Sequence, residues 1–443
     1  MVTLRQAQDG VHPAASAGPT SHLEREVKLE AGLRFILPDL TGVLPGVVVT
    51  TLPDAKLQAT YIDTADLGLM RWGITLRHRH DAVGGADAES GWTLKLPADA
   101  DGVALVRREL FWPGKFGPVP DEVASLVRAA ARTAPLQPVA KLTTLRHRVE
   151  LWDGTGRRLA EVDDDLVSVM DGRKLAARFR EVEVELTPAA PPELLDAVLH
   201  RLTAAGAVRG DDRPKVVRAI GARATLGPDV VIPELGPDAT VAEVVSASIA
   251  AAVTRIIRHD PGVRLGDDPE HVHQARVGTR RLRSDLRTFR PLLDVDLTSS
   301  VREELGWLGG ALGEVRDADV LTERLQSQIA TLPDIDQRPA SALLRRLANQ
   351  RNDARARLFD VLNSERYVVL LDELARAAAD PPLAADTDPI TSDPITRDTM
   401  TSDAVTGATL QPAPTTAPAT AVAGATQAPS PQAVTMGETA EPT

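Results

Sequence analysis

Charged and apolar residues alternate along much of the first half of the chain, between about residues 22 and 220. The segment "EREVKLE" sets Glu24, Glu26 and Lys28 at every second position. Because successive side chains of a β-strand point to opposite faces, these three share one face of a predicted strand. The alternation returns in "ITLRHRH", "WTLKLP", "TTLRHRVEL" and "FREVEVEL". The pattern therefore predicts a β-rich domain over residues 22–220.

The charged faces of these strands differ in sign from one strand to the next. Three of them align only cations, namely Arg77 with Arg79, Lys95, and Arg146 with Arg148. Another aligns only acids, namely Glu181, Glu183 and Glu185. Each strand alone fits an antiparallel sheet with its charged face in water. Segregated signs favour a barrel with a polar interior, whose apolar outer face would be covered by predicted helices at residues 120–132 and 192–206.

Such an interior would suit an anion and a metal together. Arginine and lysine side chains bind polyanions through charge-assisted hydrogen bonds. Clustered carboxylates would repel the same anion unless a hard divalent cation lay between them. Mg²⁺ and Mn²⁺ take oxygen ligands from carboxylates, water and phosphate. The pattern therefore indicates a site for a metal and an oligophosphate.

Helical periodicity replaces the alternation after about residue 240. Thr240 and Glu243 form the signature of a helix capping box. A second helix is predicted from Asp268, with a proline at its first position, to the residue before Pro291. Ser300 and Glu303 suggest the start of a third helix. Two more helices are expected at about residues 340–363 and 364–379.

The second of these helices carries a row of cations. His273, Arg276, Arg280, Arg283 and Arg287 follow one another at intervals of three or four residues. At 3.6 residues per turn they occupy one side of the helix, next to its apolar side. One interpretation is a solvated face whose salt-bridge partners are Asp317 and Asp319. The other is a binding surface for an anion.

The overall charge makes this row more conspicuous. The chain has 443 residues, no cysteine and a formal net charge of -12. Residues 384–443 are rich in Thr, Pro and Ala and hold seven acids against one arginine, a net charge of -6. That segment and a leader over residues 1–21 are predicted to be disordered. No apolar run reaches the roughly 18 residues of a membrane span, and no signal peptide is recognised, so a cytoplasmic protein is expected.

The first half resembles the CYTH domains, or triphosphate tunnel metalloenzymes. The resemblance rests on the E-x-E-x-K of Glu24, Glu26 and Lys28, followed in order by "YIDT", "LRHR", "WTLKLP", "RRE", "RHR", "EVDDD" and "EVEVEL". It implies an α+β fold with an eight-stranded antiparallel tunnel. It also implies catalytic roles for Glu24, Glu26 and Lys28.

The same resemblance implies two sets of ligands. The metal, Mg²⁺ or Mn²⁺, would be held by Glu24 and Glu26, by Asp163 or Asp165, and by Glu183 with either Glu181 or Glu185. The phosphates would be bound by Lys28, Arg77, Arg79, Lys95, Arg146, Arg148 and Lys215. Asp63, in "YIDT", is expected to have a structural role.

Beyond a linker at residues 221–239, "VHQARVGTRRLRSDLRTF" and "GEVRDADVL" resemble the CHAD domain, a helical domain that often follows CYTH. The resemblance implies polyphosphate binding by His273, Arg276, Arg280, Arg283 and Arg287. It covers residues 240–383 and only the first half of the family's bundle. Either a homodimer completes the bundle, or the chain is truncated.

These observations predict metal-dependent hydrolysis of a triphosphate, inorganic triphosphate foremost, with polyphosphate bound by the helical half. Thiamine triphosphatase and class IV adenylate cyclase share the tunnel and are alternatives. A polyphosphate-binding or granule-targeting protein without catalysis is another. Aromatic residues make up only 3% of the chain, which disfavours nucleic acid because bases stack on aromatic side chains.

Overall fold

The computed structural model describes residues 19–82, 90–98, 105–210 and 213–384. The predicted leader lies outside these ranges up to residue 18. Thr20 and Ser21, which the prediction assigned to the leader, belong to the first strand. The predicted tail lies outside the described residues from residue 385 onward.

The first half of the chain forms a closed β-barrel. Its strands are β1 (Thr20–Ala31), β2 (Val48–Thr51), β3 (Ala55–Asp63), β4 (Thr75–Asp81), β5 (Ser90–Pro97), β6 (Leu105–Pro113), β7 (Gln137–Trp152), β8 (Arg158–Asp171), β9 (Lys174–Leu186) and β10 (Val208–Arg209). Eight of them pair antiparallel in the order β1-β6-β5-β4-β3-β7-β8-β9, and β9 returns to β1. The predicted eight-stranded antiparallel tunnel is confirmed.

The helices are short within the barrel half and long after it. They are α1 (Gly68–Arg71), α2 (Asp121–Leu126), α3 (Arg128–Ala131), α4 (Pro192–Ala204), α5 (Lys215–Ile220), α6 (Val241–Leu265), α7 (Pro269–Thr288), α8 (Val295–Ile329), α9 (Asp334–Asn363) and α10 (Glu365–Ala379). Short 3₁₀ turns occupy Gly221–Thr225 and Arg290–Leu292.

Apolar side chains on the outside of the barrel are buried under helices, which leaves the charged faces inside. Leu194 and Val198 of α4 pack in one core with Leu29 and Val184 of the barrel. The outer side of β4, β5 and β6 packs against α2 and α3. The covering helix predicted at residues 192–206 is present as α4, whereas the one predicted at 120–132 is divided at Val127 into the two short helices α2 and α3. Alternating residues of the strands therefore face the inside and the outside of the barrel.

One end of the barrel is closed by α5. Val216 and Val217 of this helix pack with Tyr61, Leu142 and Val167, from three barrel strands. Apolar residues thus replace charged ones at this end, and α5 begins with Lys215, whose side chain faces the barrel interior.

Asp63 lies at the end of β3 and is fully buried. Its carboxylate accepts hydrogen bonds from the backbone N–H groups of Thr64, Leu69 and Met70 at 2.7–3.0 Å. These bonds tie β3 to the turn that contains α1. The carboxylate is used within the fold, in agreement with its expected structural role.

Two of the predicted helix starts are correct and one is wrong. Thr240 and Glu243 form a reciprocal capping box at α6, and Asp268 caps α7. Ser300 and Glu303 cap no helix, because α8 already begins at Val295. Just before α8, Leu293 forms a β-bridge with Leu383. The local sequence could not indicate this pairing. The helix expected from about residue 340 begins earlier, at Asp334.

The barrel and the helices share one hydrophobic core. Trp92 and Leu110, on the outside of the barrel, belong to the same buried cluster as Ile249 and Val253 of α6. Arg132 adds an ion pair to Asp372 of α10 at 3.0 Å. The segment predicted as a linker takes part as well, since the Trp72 indole N–H donates to Asp229 at 2.9 Å. The two halves are therefore packed directly on each other.

Candidate active site

The barrel encloses a cavity of about 430 Å³. Its lining is almost entirely charged, and only His22, Tyr61, Thr75 and Pro214 are neutral or weakly basic. The charged lining residues are Glu24, Glu26, Lys28, Arg77, Arg79, Lys95, Arg107, Glu109, Arg146, Arg148, Arg158, Glu161, Asp163, Glu183, Glu185 and Lys215. Fourteen predicted tunnel residues were named from the sequence, and twelve of them lie on this cavity.

Strand register arranges the acids in rows around the wall. Glu26 of β1 is the cross-strand partner of Glu185 in β9, which is the partner of Glu161 in β8. In an antiparallel sheet, directly opposed side chains share a face and lie close together. Three carboxylates therefore form one row across three strands. Deeper in the barrel, the next row of inward-facing residues contains both cations and acids, since Lys28 is the cross-strand partner of Glu183.

Two lysines are already neutralised by neighbouring acids. Lys28 Nζ lies 3.1 Å from Glu26 and also contacts Glu183. Lys95 Nζ lies 2.5 Å from Glu24 and 2.9 Å from Glu109. Burial works against ionisation of Glu109, but Lys95 and Arg77 lower its pKa to about 2. These lysines hold the acids in place as much as they offer charge to an anion.

A dense ion-pair cluster forms the floor of the cavity. Lys215 Nζ lies 3.0 Å from Asp165, 2.8 Å from Glu181 and 2.6 Å from Glu183. Arg146 contacts Asp165 at 2.6 Å and also Asp163. Burial would raise the pKa of Glu183, but Lys215, Lys28 and Arg146 hold it well below its usual value.

The arrangement of the floor distinguishes the candidate metal ligands between which the sequence left a choice. Glu183 and Glu185 line the cavity, whereas Glu181 is withdrawn to bind Lys215 and Arg218. Asp163 lines the cavity, whereas Asp165 is buried beneath it. Glu181 and Asp165, both candidates for the metal, are thus placed as ion-pair partners of buried cations.

Three arginines on the cavity wall have no carboxylate within 4 Å among the described residues. Arg77 only meets the Tyr61 hydroxyl, at 3.4 Å, and Arg107 and Arg148 form no ion pair. The Nε atom of Arg148 is buried without a hydrogen-bond partner. A buried cationic group without an anion is costly, so these arginines are the part of the wall where the described residues leave positive charge uncompensated.

Some cavity residues were missed by the sequence reasoning. Arg107 and Glu109 of β6 were quoted in a motif but given no role, and Glu161 and Arg158 were not considered for the site. The alternation of Arg107 and Glu109 was a sufficient signal that both face inward. Arg158 lies at the start of its strand, where no alternation yet identifies a face.

A second charged concavity lies between α7 and α8, outside the barrel. We call it the arginine groove. It measures about 560 Å³ and is lined by Arg280, Arg281, Arg283, Arg287 and Arg302, with Val277 and Ser284. Arg280, Arg283 and Arg287 are exposed and form no ion pair within the described part of the chain.

The other members of the predicted cationic row lie away from this groove. Arg276 pairs with Asp317 at 2.9 Å, as the salt-bridge interpretation expected. Asp319 instead pairs with Arg351 of α9. His273 is partly buried and does not line the groove. The row therefore divides into one structural ion pair and three arginines that are available to a ligand.

Comparison with known proteins identifies both halves. Residues 22–220 match the CYTH domain and residues 247–419 match the CHAD domain. Two uncharacterised proteins, from two strains of Mycobacterium tuberculosis, are each 34% identical over 378 residues, which is 82% of this chain and 71% of the relative. The chain belongs to the CYTH–CHAD proteins. The CHAD match continues to residue 419, past the boundary at 383 that the sequence suggested, and its last part lies outside the described residues.

Two solved structures show limited likeness to this CYTH–CHAD protein. PptA from Streptomyces chartreusis is 25% identical, with a TM-score of 0.30, and the match covers 33% of this chain and 52% of that one. A candidate adenylyl cyclase from Hippeastrum, described as having a dominant triphosphatase activity, is 17% identical, with a TM-score of 0.27 and coverage of 44% and 95%.

The CYTH domain implies a divalent metal, and the acidic row offers suitable donors. Burial and the nearby Glu24 charge raise the pKa of Glu185 to about 7. Glu26 Oε1 and Asp163 Oδ1 are buried without hydrogen-bond partners. Oxygen donors that repel one another are what a hard cation would stabilise. No three acidic or histidine side chains are gathered as a metal cluster in the ranges that the structure describes, so the fit rests on donor chemistry.

The raised pKa of Glu185 gives a pH-dependent stability. A carboxyl whose pKa rises on folding, here from 4.5 to about 7, destabilises the fold increasingly as the pH rises through that window. Without metal, Glu185→Gln should therefore be more stable than wild type at pH 8 by about 1–2 kcal/mol, after allowance for partial exposure. The advantage should vanish at pH 4.

Urea unfolding in chelator at both pH values measures this difference. Mg²⁺ or Mn²⁺ should reverse the order at pH 8, because the metal would stabilise the ionised carboxylate of wild type. An equal difference at both pH values would contradict the predicted titration of Glu185.

Proposed function

We propose that the CYTH barrel hydrolyses a triphosphate, inorganic triphosphate foremost, with Mg²⁺ or Mn²⁺. The observation that carries this proposal is the division of the cavity wall. Arg77, Arg107 and Arg148 have no carboxylate partner in the described ranges, and a row of carboxylates lies on other strands of the same cavity. A linear phosphate chain can contact the arginines while a cation lies between it and the acids.

The protein's own residues would mainly position the substrate. Phosphoryl transfer needs little covalent help and depends on positioning and charge stabilisation. Arg77, Arg107 and Arg148 would bind phosphate oxygens, and Lys28 and Lys95 would exchange part of their carboxylate contacts for phosphate. Arg79 lines the same wall and would join them.

Lys215 and Arg146 have a different role in this proposal. Each is surrounded by carboxylates in the floor of the cavity. Their main role would be to hold Glu183 and Asp163 in position, and binding phosphate would be secondary. The metal would be held by Glu24, Glu26 and Glu185, together with Asp163 and Glu183. When bound, it would neutralise phosphate charge and lower the pKa of a coordinated water.

The lining favours an inorganic substrate over a nucleotide or thiamine derivative. Pockets for organic ligands are mainly apolar or aromatic, with few polar groups. Among the described residues that line this cavity, Tyr61 is the one large aromatic ring, and its hydroxyl contacts Arg77. Thiamine triphosphate and ATP, the substrates of the alternative activities, would find little surface for their rings.

Substrate competition tests this choice. The value of kcat/KM for phosphate release should be higher for inorganic triphosphate than for thiamine triphosphate or ATP, with either metal. Formation of cyclic AMP from ATP, or a higher kcat/KM for either organic triphosphate, would replace the proposal by the corresponding alternative.

We further propose that the CHAD half binds long-chain polyphosphate in the arginine groove. Three exposed arginines, spaced by three and four residues along α7, project into one concavity with Arg302 of α8. Arginine binds phosphate through bidentate, charge-assisted hydrogen bonds. Such binding would bring the protein to polyphosphate granules.

The homodimer suggested by the short helical half stays a prediction. No helix in the described ranges is long and apolar enough to cross a membrane.

Replacing Arg280, Arg283 and Arg287 together by Gln should weaken binding of long-chain polyphosphate by about 3 kcal/mol or more, since each charged hydrogen bond contributes about 1–3 kcal/mol. The dependence of affinity on salt should also become shallower, because fewer counterions are released. Titration over a salt series measures both effects. Hydrolysis of short triphosphate should be unchanged, because the barrel cations are intact.

A matched control replaces three exposed arginines elsewhere in the helical half, namely Arg324, Arg345 and Arg346, by Gln. This variant has the same net charge as the first. If both variants lose the same affinity, polyphosphate responds to overall charge and the groove is not its site.

A further inference from the structure

The cavity of the barrel reaches solvent at one end. Of the described side chains that line it, the exposed ones are His22 and Arg158. They lie near the starts of β1 and β8, two strands that run in the same direction because each pairs antiparallel with β9. The end of the barrel at which these two strands begin is therefore the entrance of the cavity.

The opposite end of the barrel is closed by apolar residues. Along β8, the inward-facing acids Asp163 and Asp165 are followed at the next inward position by Val167. Val167 is fully buried and packs with Val216 and Val217 of α5. A phosphate chain cannot pass between apolar side chains without losing its hydration, which is costly. The described residues therefore form a pocket that is closed at its inner end.

A β-bulge turns Arg158 into the entrance. The β7–β8 ladder shifts its register between Leu151 and Trp152, which leaves Leu159 as an extra residue of β8. Bulges at the rim of a barrel often redirect a side chain. Leu159 packs in the apolar core outside the barrel, whereas Arg158 lines the cavity. The bulge thus places a cation at the entrance, where simple alternation would have turned it outward.

The ion pairs of Arg158 are accessible to water. Its guanidinium lies 2.8 Å from Glu161 and 3.2 Å from Glu150, and 42% of its side chain is exposed. Ion pairs with this degree of exposure contribute little to stability. Arginine also binds phosphate through bidentate hydrogen bonds. The guanidinium can therefore exchange a carboxylate for a phosphate at the entrance.

We propose that the barrel takes a phosphate chain by one end only, and that Arg158 binds the part of the chain that remains at the entrance. The substrate class is then any linear phosphate chain with a free end, which includes triphosphate and the ends of longer polyphosphates. Water adds to a phosphorus near the inner end, the P–O bond to the next phosphate unit breaks, and a proton of the water passes to solvent. Each cycle releases orthophosphate or pyrophosphate and a shortened chain. This inference rests on the triphosphatase activity proposed above.

The first test compares polyphosphate of one defined length with the same polymer capped at both ends as phosphoramidates of a bulky amine. With metal present, the uncapped polymer should shorten from its ends and release small phosphates, whereas the capped polymer should lose nearly all hydrolysis. Gel electrophoresis of the products and phosphate release measure both. Triphosphate is the reference substrate in the same assay.

Three outcomes of this comparison would overturn end-first entry while triphosphate is hydrolysed. They are fragments of intermediate length, equal hydrolysis of capped and uncapped polymer, and no hydrolysis of the uncapped polymer. If triphosphate itself were not hydrolysed, the proposed triphosphatase function would fail, and end-first entry with it.

The second test concerns Arg158. Arg158→Gln should raise the KM for long polyphosphate about 3–10-fold more than the KM for triphosphate, which corresponds to about 0.6–1.4 kcal/mol. Loss of the partner of Glu161 would affect both substrates alike, so the ratio of the two KM values isolates the contact with the outer chain. Arg157→Gln is the matched control, because Arg157 pairs with Asp153 and does not line the cavity. It should leave both KM values unchanged. An equal change for both substrates in Arg158→Gln would overturn the role of Arg158.

Discussion

Glu26→Gln is expected to reduce hydrolysis of inorganic triphosphate by about 100-fold or more. Glu26 is buried, and it belongs to the carboxylate row together with Glu185 and Glu161. The substitution keeps the size of the side chain but removes a charged oxygen donor. A bound metal stabilises the transition state by several kcal/mol, and each 1.36 kcal/mol changes the rate tenfold. Phosphate release at saturating Mg²⁺ and Mn²⁺ measures the loss.

The fold should survive this change, because Lys28 keeps its contact with Glu183. Glu234→Gln is a matched control, since Glu234 is exposed and lies outside the cavity. It should leave turnover unchanged. If Glu26→Gln also kept wild-type turnover with both metals, Glu26 would not be a metal ligand.

Lys215→Met is expected to lower the free energy of unfolding by about 3–5 kcal/mol, the usual range when one partner of a buried ion pair is removed. Lys215 neutralises Asp165, Glu181 and Glu183 in the floor of the barrel. Methionine fills similar space but leaves these acids with fewer cations. Urea unfolding in chelator at pH 7.5 measures the loss.

The effect should depend on pH in a defined direction. Lys215 and other cations lower the pKa of Asp165 and Glu183 against the effect of burial. A carboxyl with a depressed pKa contributes stability above its unfolded pKa and loses it as the pH falls. The difference between wild type and Lys215→Met should therefore shrink below about pH 4. Lys174→Met, at an exposed position of β9, should be neutral. A loss under 1 kcal/mol for Lys215→Met would show that the floor does not need this cation.

Local alternation indicated a barrel with a polar interior and placed most of the cavity residues on its inner face, whereas the eight-stranded tunnel was implied by the family resemblance. It placed Glu24, Glu26 and Lys28 on one face, and the segregated signs of the later strands indicated a closed, polar interior. This worked because a barrel has only two faces, and a strand's side chains alternate between them. Arg107 was missed although the same rule applied to it.

Which charges remain available could not be read from the sequence. Arg148 and Arg146 share a strand face, yet Arg146 is enclosed by acids and Arg148 is not. The difference arises from cross-strand register and from α5, which brings Lys215 beneath Asp165. Similarly, the capping signature at Ser300 is not used, because α8 already begins at Val295. Long-range contacts decide which charged side chains form ion pairs, whereas the local pattern decides only which face of a strand a side chain occupies.

We infer that the CYTH barrel is a metal-dependent triphosphatase. The most direct measurement is phosphate release from inorganic triphosphate by chelator-treated full-length protein, before and after Mg²⁺ or Mn²⁺ is restored. We predict no release without metal, robust release with it, and loss of that release in Glu26→Gln but not in Glu234→Gln. Release that persists in chelator, or no release with either metal, would contradict the claim.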